Sequence, residues 1–374
     1  MSKNTETFGN GYSQYNKIFY LRVHEGCNLY CQHCFIPSNP KKMNMDMIHK
    51  IVENMKFHTK EGDRVLIQWH GGEPTLKSPS WIEEAVTIIN QYKKVNIEHS
   101  IQTNLMNYNH EWEQVFKKYF SGKIGVSWDH RIRLTKKNQI ISHEDYESKF
   151  WTLLNQAHKD GIALDVTITL TKYFIQDWKN PIALFRRFSD CGVNSIHIEK
   201  LTKTGNARVY WDEIGVNNIE YSKYMSRLFK LYSLWNESEK MKLSISPLDD
   251  LKLGLEKFIE SDVNALNKMP VCFSGACDKN FHTYDANGYK PGCTALNSEY
   301  DNSRASASLF VSNILESRSK RKANCSKCLF TEVCSSGCLA SSYIDESGEC
   351  SGNKILLETI YKQSQGIKEM KGVL

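Results

Sequence analysis

The sequence predicts an α/β fold, a partial barrel of six strand–helix units followed by a small cysteine-rich domain. Between residues 16 and 200, short β-type runs alternate with helical ones, which is the pattern of βα units around a parallel sheet. From residue 272 to residue 350 the chain is rich in Cys, Gly, Ser and Asn and has too few large apolar residues for a core of its own. We therefore expect metal sites to hold this second part together.

The strand segments of the predicted barrel are KIFYLRV, DRVLIQWH, NIEHSIQT, KIGVSWD, IALDVTITL and NSIHIEK. Between the first two, apolar residues from Met45 to Met55 recur at helical spacing. Later helices are predicted over 81–92, 111–119, 146–158 and 181–188. This pattern favours a partial (β/α)6 barrel of TIM type, whose functional groups lie on loops at the carboxyl ends of the strands.

The chain divides into five predicted segments. They are a polar N-terminal tail (1–15), the barrel (16–236), a helical bridge (237–271), the cysteine-rich domain (272–352) and a C-terminal helix (353–374).

Composition narrows the class of protein. The 48 basic and 42 acidic side chains are interspersed, so the net charge of +6 mildly favours a polar or acidic partner, and neither nucleic acid nor membrane is expected. The first twenty residues lack the pattern of a secretory signal, and no apolar run approaches membrane-spanning length. We therefore expect a soluble, cytoplasmic protein.

Twelve cysteines in such a chain indicate metal binding or catalysis, because the cytosol keeps thiols reduced. Eleven of them fall into three groups, and Cys191 stands alone as a predicted small buried residue.

The first group, Cys27-x3-Cys31-x2-Cys34, places three thiolates on one loop, within reach of a single cluster. Three sulfurs on a four-iron cluster leave one iron open to a substrate molecule. Half of a zinc site is the alternative, with His24 or His33 as the further ligand.

CxxxCxxC after the first strand, Gly71-Gly72-Glu73-Pro74 after the second and the series of βα units together resemble the radical S-adenosylmethionine (SAM) superfamily. The resemblance implies that the open iron binds SAM and that cleavage of SAM yields a 5′-deoxyadenosyl radical, which makes Cys27, Cys31 and Cys34 the catalytic ligands. Gly71 and Gly72 would then let the backbone approach the methionyl moiety, and Glu73 would accept from its ammonium group.

Further cofactor-binding residues are implied at the ends of the third and fourth strands. Gln102 ends the third strand, and Ser127 and Asp129 in IGVSWDH are similar to the family's VSxDG segment, with His130 in place of the usual glycine. The family often has an arginine about ten residues later that pairs with the methionyl carboxylate. Arg133 is the candidate here although it comes much sooner, and an ordinary surface arginine is the alternative.

The other eight grouped cysteines resemble the SPASM extension of radical SAM enzymes, and Gly288 occupies the expected place in a hairpin before Cys293. The resemblance implies three four-iron clusters in all, two of them auxiliary. The first auxiliary set is Cys272, Cys277, Cys293 and Cys338, and the second auxiliary set is Cys325, Cys328, Cys334 and Cys350. Two zinc sites, one of them a ribbon of Cys325, Cys328, Cys334 and Cys338, are the alternative.

Enzymes with this extension commonly modify peptides, and one position separates two models. In anaerobic sulfatase-maturating enzymes, an aspartate that acts as a base follows the cysteine equivalent to Cys293, whereas this chain has Thr294, whose hydroxyl is too weak a base. A nearby Asp285, Glu199 or His197 could still accept a proton. The sequence thus favours a maturase that crosslinks side chains of a ribosomally made precursor peptide.

The alternatives are formylglycine formation and a non-enzymatic iron–sulfur or zinc scaffold. The expected partners of an enzyme are the precursor peptide and an electron donor such as flavodoxin or ferredoxin. Only about sixteen residues precede the first strand, so the leader of the peptide would be read by the barrel, by the cysteine-rich region or by another protein.

Overall fold

The computed structural model describes residues 12–36, 41–137, 140–239, 243–275, 277, 280–297 and 306–372. Most of the predicted tail lies outside these residues. Its last part contains a 3₁₀ turn, Tyr12–Gln14, which precedes the first strand.

All six predicted strands are present. The strands of the described residues are β1 (Lys17–His24), β2 (Leu29–Cys31), β3 (Arg64–Gly71), β4 (Asn96–Thr103), β5 (Lys123–Ser127), β6 (Arg133–Lys137), β7 (Ile140–Ser142), β8 (Ala163–Leu170), β9 (Val193–Lys200), β10 (Ser244–Ser246), β11 (Phe281–Asp285) and β12 (Gly288–Pro291).

The helices confirm the predicted alternation. They are α1 (Met45–His58), α2 (Pro79–Ile89), α3 (His110–Tyr119), α4 (His143–Lys159), α5 (Lys172–Asp177), α6 (Ile182–Asp190), α7 (Trp211–Ile214), α8 (Asn218–Glu239), α9 (Leu248–Ile259), α10 (Ala265–Lys268), α11 (Val271–Ser274), α12 (Ala307–Asn324) and α13 (Lys354–Gly372). Cys191 is buried at the end of α6, as predicted.

The main sheet has the strand order β10-β9-β8-β5-β4-β3-β1-β11-β12. The six predicted strands are parallel neighbours in chain order, which is the arrangement of a TIM-type barrel. Their two outer members, β1 and β9, pair with β11 and β10 rather than with each other, so the barrel stays open. The fold is therefore the predicted partial (β/α)6 barrel.

The cysteine-rich region contributes to the same sheet. Strand β11 runs parallel to β1, with Tyr20 opposite Thr283, and forms the predicted hairpin with β12 at Gly288. Cys293 follows this hairpin directly. The sequence predicted the hairpin but gave no sign that it extends the barrel.

A second, three-stranded sheet joins β2 to β6 and β6 to β7 in antiparallel pairs. Its register places Arg133 opposite Cys31. This pairing brings a side chain from beyond the fourth barrel strand to the loop that follows the first.

Helix α12 was not predicted. It begins at Ser306, whose hydroxyl accepts from the Leu309 amide, and Cys325 is its C-cap. Leu309 and Leu315 are exposed, and the helix instead carries Arg318 and Arg321, which contact backbone carbonyls of the cysteine-rich region. Such a face has no apolar periodicity by which the sequence would reveal it.

Candidate active site

Three thiols meet on the loop after β1, at the carboxyl end of the barrel. Cys31 is buried, Cys34 is half-buried and Cys27 is exposed. Burial raises the pKa of the Cys31 thiol, and the Arg133 guanidinium opposes that rise. Three thiols that interact electrostatically, two of them shielded from solvent, need a cation to become thiolates together. The donor set therefore fits an iron–sulfur cluster.

Two side chains from other elements donate toward these sulfurs. Asn104 Nδ2 lies 3.6 Å from Cys27 Sγ, and Arg133 Nη1 lies 3.7 Å from Cys31 Sγ. Hydrogen bonds to sulfur are among the groups that adjust the potential of a cluster. Asn104 directly follows the third predicted strand, and no role was predicted for it.

A segment after β9 is hydrogen-bonded to the cysteine loop. The Asn206 amide donates to the Cys34 carbonyl (2.8 Å), and its Nδ2 donates to the Cys31 carbonyl (3.0 Å). Gly205 has φ +54°, and a Cβ there would lie 2.3 Å from the Cys34 carbonyl oxygen. The TKTGNA segment thus supports the cysteine loop.

Gly71 and Gly72 pack directly against the backbone that leads into the cysteine loop. A Cβ on Gly71, at φ +136°, would lie 2.4 Å from the His24 carbonyl oxygen, and one on Gly72 would lie 2.5 Å from that of Gly26. The Gly72 and Glu73 amides donate to the His24 and Gly26 carbonyls, at 2.8 and 3.0 Å. Only glycine fits at these two positions, because a side chain at either would clash with the backbone that leads into the cysteine loop.

Glu73 is buried and accepts four hydrogen bonds. Its Oε1 accepts from the Thr75 amide (3.0 Å), the Thr75 hydroxyl (2.6 Å) and the Thr103 hydroxyl (2.7 Å), and its Oε2 accepts from the Asn104 amide (2.7 Å). Burial raises the pKa of this carboxyl group, against the effect of the hydrogen bonds. The carboxylate joins the loop after β3 to the end of β4, and Oε2 keeps acceptor capacity because a carboxylate oxygen has two lone pairs.

The predicted residues near β5 form two separate contacts. Gln102 Nε2 donates to Ser127 Oγ (2.7 Å) across neighbouring strands. Asp129 is buried and accepts from Arg133 Nε (2.6 Å), while its other oxygen accepts from the Thr169 amide. Arg133, whose side chain is 13% exposed, is thus held between Asp129 and Cys31.

The sheet face opposite the helices is polar toward the carboxyl ends of its strands. On β9, Ile196 and Ile198 point into the apolar core, whereas His197 and Glu199 point the other way and lie 2.8 Å apart. By the strand register, this face carries Tyr20, Arg22, Gln68, His70, Ser100, Gln102, Ser127, Thr167, Thr169, His197 and Glu199. A closed TIM barrel fills this space with branched apolar side chains, so a polar interior can instead admit a substrate.

A cavity of about 400 Å³ opens near the amino ends of the same strands. Its lining includes Tyr12, Gln68, Glu98, Ser100 and Asp165.

The second auxiliary set surrounds one small cavity, lined by all four of Cys325, Cys328, Cys334 and Cys350. A Cβ on Gly352 would lie 2.9 Å from Cys334 Sγ and 3.7 Å from Cys350 Sγ, so the absence of a side chain keeps room beside the sulfurs. This arrangement fits a group ligated by four thiolates.

In the first auxiliary set, Cys272 and Cys338 are hydrogen-bonded to each other, and Cys277 interacts electrostatically with Cys272. Cys293 lies beside Tyr20 of β1, at the end of the hairpin.

Within the described part of the chain, no three His, Cys, Asp or Glu side chains are close enough together to hold a single metal ion. Nor does any helix there have the length and apolarity to cross a membrane.

Comparison with known proteins identifies the class. Residues 21–197, which span the barrel from β1 to β9, match the Radical SAM superfamily. These residues, with three thiols on the loop after the first barrel strand, form the domain of a radical SAM enzyme.

Its similarity to particular members extends beyond the barrel. The chain is 24% identical over 340 residues to a cysteine-type anaerobic sulfatase-maturating enzyme of Clostridium novyi (strain NT), covering 83% of this chain and 84% of that enzyme. A solved structure of native anSMEcpe with bound AdoMet and the Kp18Cys peptide has a TM-score of 0.68 at 17% identity, covering 94% of this chain and 98% of that one. Streptococcus suis SuiB bound to its precursor peptide SuiA has a TM-score of 0.56 at 14% identity, covering 87% of this chain and 72% of SuiB.

Proposed function

We propose that this enzyme is a peptide maturase that installs a side-chain crosslink, C–C or C–O of cyclophane type, in a ribosomally synthesised precursor peptide. A peptide substrate is supported by the neighbours of known structure, which hold the Kp18Cys peptide and the precursor peptide SuiA. The open, polar barrel interior is consistent with entry of an extended chain.

The positions of the cysteine side chains support the proposed cofactors. Cys27, Cys31 and Cys34 would hold a four-iron cluster, and the two auxiliary sets would hold two more. SAM would lie against Gly71, Gly72, Glu73, Gln102, Ser127, Asp129 and Arg133. When bound, these groups would supply a 5′-deoxyadenosyl radical, which removes one hydrogen atom from the peptide. They would also supply an acceptor for the electron of the second hydrogen, whose proton goes to a base. A donor such as flavodoxin or ferredoxin would reduce the first cluster.

The observation that carries the crosslink is the residue after Cys293. Thr294 lies beside Tyr20 of β1. A carboxylate at this position would take the thiol or hydroxyl proton of a substrate in formylglycine formation, and a threonine hydroxyl is far too weak a base for that.

Other groups can accept the proton that a crosslink releases. Asp285 is poorly suited because it is buried and paired with Arg22 (3.0 Å) and Lys290 (3.5 Å). Glu199 is half exposed and bonded to His197, whose Nδ1 faces Ser246 Oγ at 3.1 Å. We therefore assign this role to the His197–Glu199 pair.

The second candidate is formylglycine formation, which is favoured by the similarity to the Clostridium novyi enzyme over most of both chains. Both products can be two hydrogens lighter than the substrate, because oxidation of serine to the aldehyde removes two hydrogens. Mass alone therefore does not separate them.

Anaerobic co-expression with a short peptide encoded beside the gene, followed by tandem mass spectrometry, separates the two reactions. We expect a loss of two hydrogens per bond, with fragment ions missing between the joined residues, and substantial turnover by Thr294→Ala. The variant lacking Cys27, Cys31 and Cys34 is the control and should leave the peptide unchanged. An aldehyde at Cys or Ser, trapped with a hydrazine reagent, would instead identify a sulfatase-maturating enzyme.

A further inference from the structure

We propose that Lys200, Arg318 and Arg321 are positioning residues that hold positive charge between the two auxiliary cysteine sets and make the clusters there easier to reduce. The inference rests on the auxiliary clusters of the proposed function. It assigns a role to three side chains for which the sequence motifs gave none.

Lys200, the last residue of β9, joins the barrel to the cysteine-rich region. Its ammonium group donates to Asn218 Oδ1 (2.6 Å) and to Asn353 Oδ1 (3.0 Å). The Asn353 amide in turn donates to the Cys350 carbonyl at 2.9 Å, which places the lysine beside the second auxiliary set. The ammonium also interacts electrostatically with Cys338 of the first set and Cys350 of the second.

Arg318 and Arg321 approach the same region from helix α12, where residues three apart share a face. Arg318 is 6% exposed; its Nη1 donates to the Gly337 carbonyl (3.0 Å), and its Nη2 lies 3.9 Å from Cys277 Sγ of the first set. Arg321 donates to the carbonyls of Cys338 (2.8 Å) and Ser341 (2.7 Å).

The segment that these two arginines hold serves both sets. It carries Cys334 of the second set and Cys338 of the first, only four residues apart. Arg321 also lies over the ring of Tyr343, at 5.9 Å, and the Tyr343 hydroxyl is 3.2 Å from Cys325 Sγ of the second set. The three cationic side chains thus lie near the sulfur atoms, or near the backbone of the cysteines, in both sets.

The direction of the effect follows from charge. A four-iron cluster with four thiolates is already negative, and reduction adds one more negative charge to a poorly solvated place. A nearby cation stabilises the reduced form more than the oxidised form, so the reduction potential rises. A cluster that is easier to reduce is a better acceptor for the electron that the peptide must lose.

The test is a redox titration followed by electron paramagnetic resonance on the full chain, reconstituted anaerobically. Cys27, Cys31 and Cys34 are replaced by Ala, so that only the auxiliary clusters give signals. Lys200→Gln removes the charge but keeps a hydrogen-bond donor, whereas Lys200→Arg keeps the charge. Lys320→Gln, on the exposed side of α12, is the matched surface control, since Lys320 is 74% exposed.

We expect Lys200→Gln to lower the ratio of reduced to oxidised cluster about tenfold at a fixed potential, which equals about 59 mV for a one-electron couple. Lys200→Arg and Lys320→Gln should stay near the parent value. Equal potentials for the Gln and Arg variants would overturn the inference and leave Lys200 a purely structural residue.

If Lys200→Gln fails to retain iron, the comparison of Arg321→Gln with Arg321→Lys serves in its place. Unchanged potentials in that pair would equally overturn the inference. Zinc without sulfide in the parent protein is a different result, because it would remove the auxiliary clusters and with them this part of the proposed function.

Discussion

Arg131 and Arg133 are two residues apart and have opposite surroundings. The Arg131 side chain is 53% exposed and pairs with Asp177 at the surface (3.1 Å). Arg133 is 13% exposed and pairs with the buried Asp129, beside Cys31. The sequence left Arg133 open between a cofactor ligand and a surface residue, and its low exposure and its pairing with Asp129 favour the first role. The pairing of β2 with β6, which the sequence analysis did not foresee, is what separates the two arginines.

We predict that Arg133→Gln lowers both iron content and SAM affinity, whereas Arg131→Gln changes neither. Without the guanidinium, Asp129 becomes a buried carboxylate that lacks its cation, and Cys31 loses an N–H donor. Loss of one charge-assisted hydrogen bond, worth about 1.5–3 kcal/mol, should weaken the binding of SAM roughly ten- to hundredfold. Calorimetric titration of the anaerobic protein with SAM measures this loss. Equal affinities in the two variants would exclude Arg133 from the cofactor site.

At the scale of elements, the sequence was informative wherever the local pattern determines the structure. Each barrel strand is a short β-type run, and each was predicted within a residue or two of its bounds. Helix α12 and the pairing of β11 with β1 escaped prediction for different reasons. The helix is held by polar contacts of Arg318 and Arg321 rather than by an apolar face, and the pairing joins segments more than 260 residues apart.

The contact between the segment 202–207 and the cysteine loop provides a test at this scale. We predict that Gly205→Ala lowers the iron held by Cys27, Cys31 and Cys34, because a Cβ would lie 2.3 Å from the Cys34 carbonyl oxygen. Gly122→Ala is the matched control, since Gly122 also has a positive φ (+66°) but nothing within 4 Å of its Cβ position. Both variants have the strain of a left-handed alanine, so a difference in iron per chain isolates the clash. Equal iron contents would show that the segment does not support the loop.

At the scale of the whole molecule, the barrel sheet connects the three groups of cysteines. The first group follows β1, Cys293 follows the hairpin that pairs with β1, and Lys200 at the end of β9 contacts the region of Cys350. The sequence predicted the groups themselves, because cysteine spacing is local. It did not predict the cations between them, because lysine and arginine carry no spacing signal of their own. The two halves of the chain therefore depend on each other more than their compositions suggested.

The last prediction is the metal content of the chain. Eleven cysteines in sets of three, four and four should hold three four-iron clusters, so anaerobic reconstitution should give about twelve irons with matching sulfide per chain. Replacement of Cys27, Cys31 and Cys34 by Ala should remove about a third of the iron and abolish formation of 5′-deoxyadenosine, because only this set leaves an iron open to SAM. Replacement of the second auxiliary set should remove a similar share, since its four cysteines line one cavity.

Cys191→Ala is the control and should retain all of the iron, because Cys191 lies in the apolar core beside α6. Iron, zinc and sulfide are measured on the same samples. Stoichiometric zinc with only about four irons and matching sulfide per chain would instead indicate zinc sites in the cysteine-rich region and leave the radical chemistry to the barrel alone.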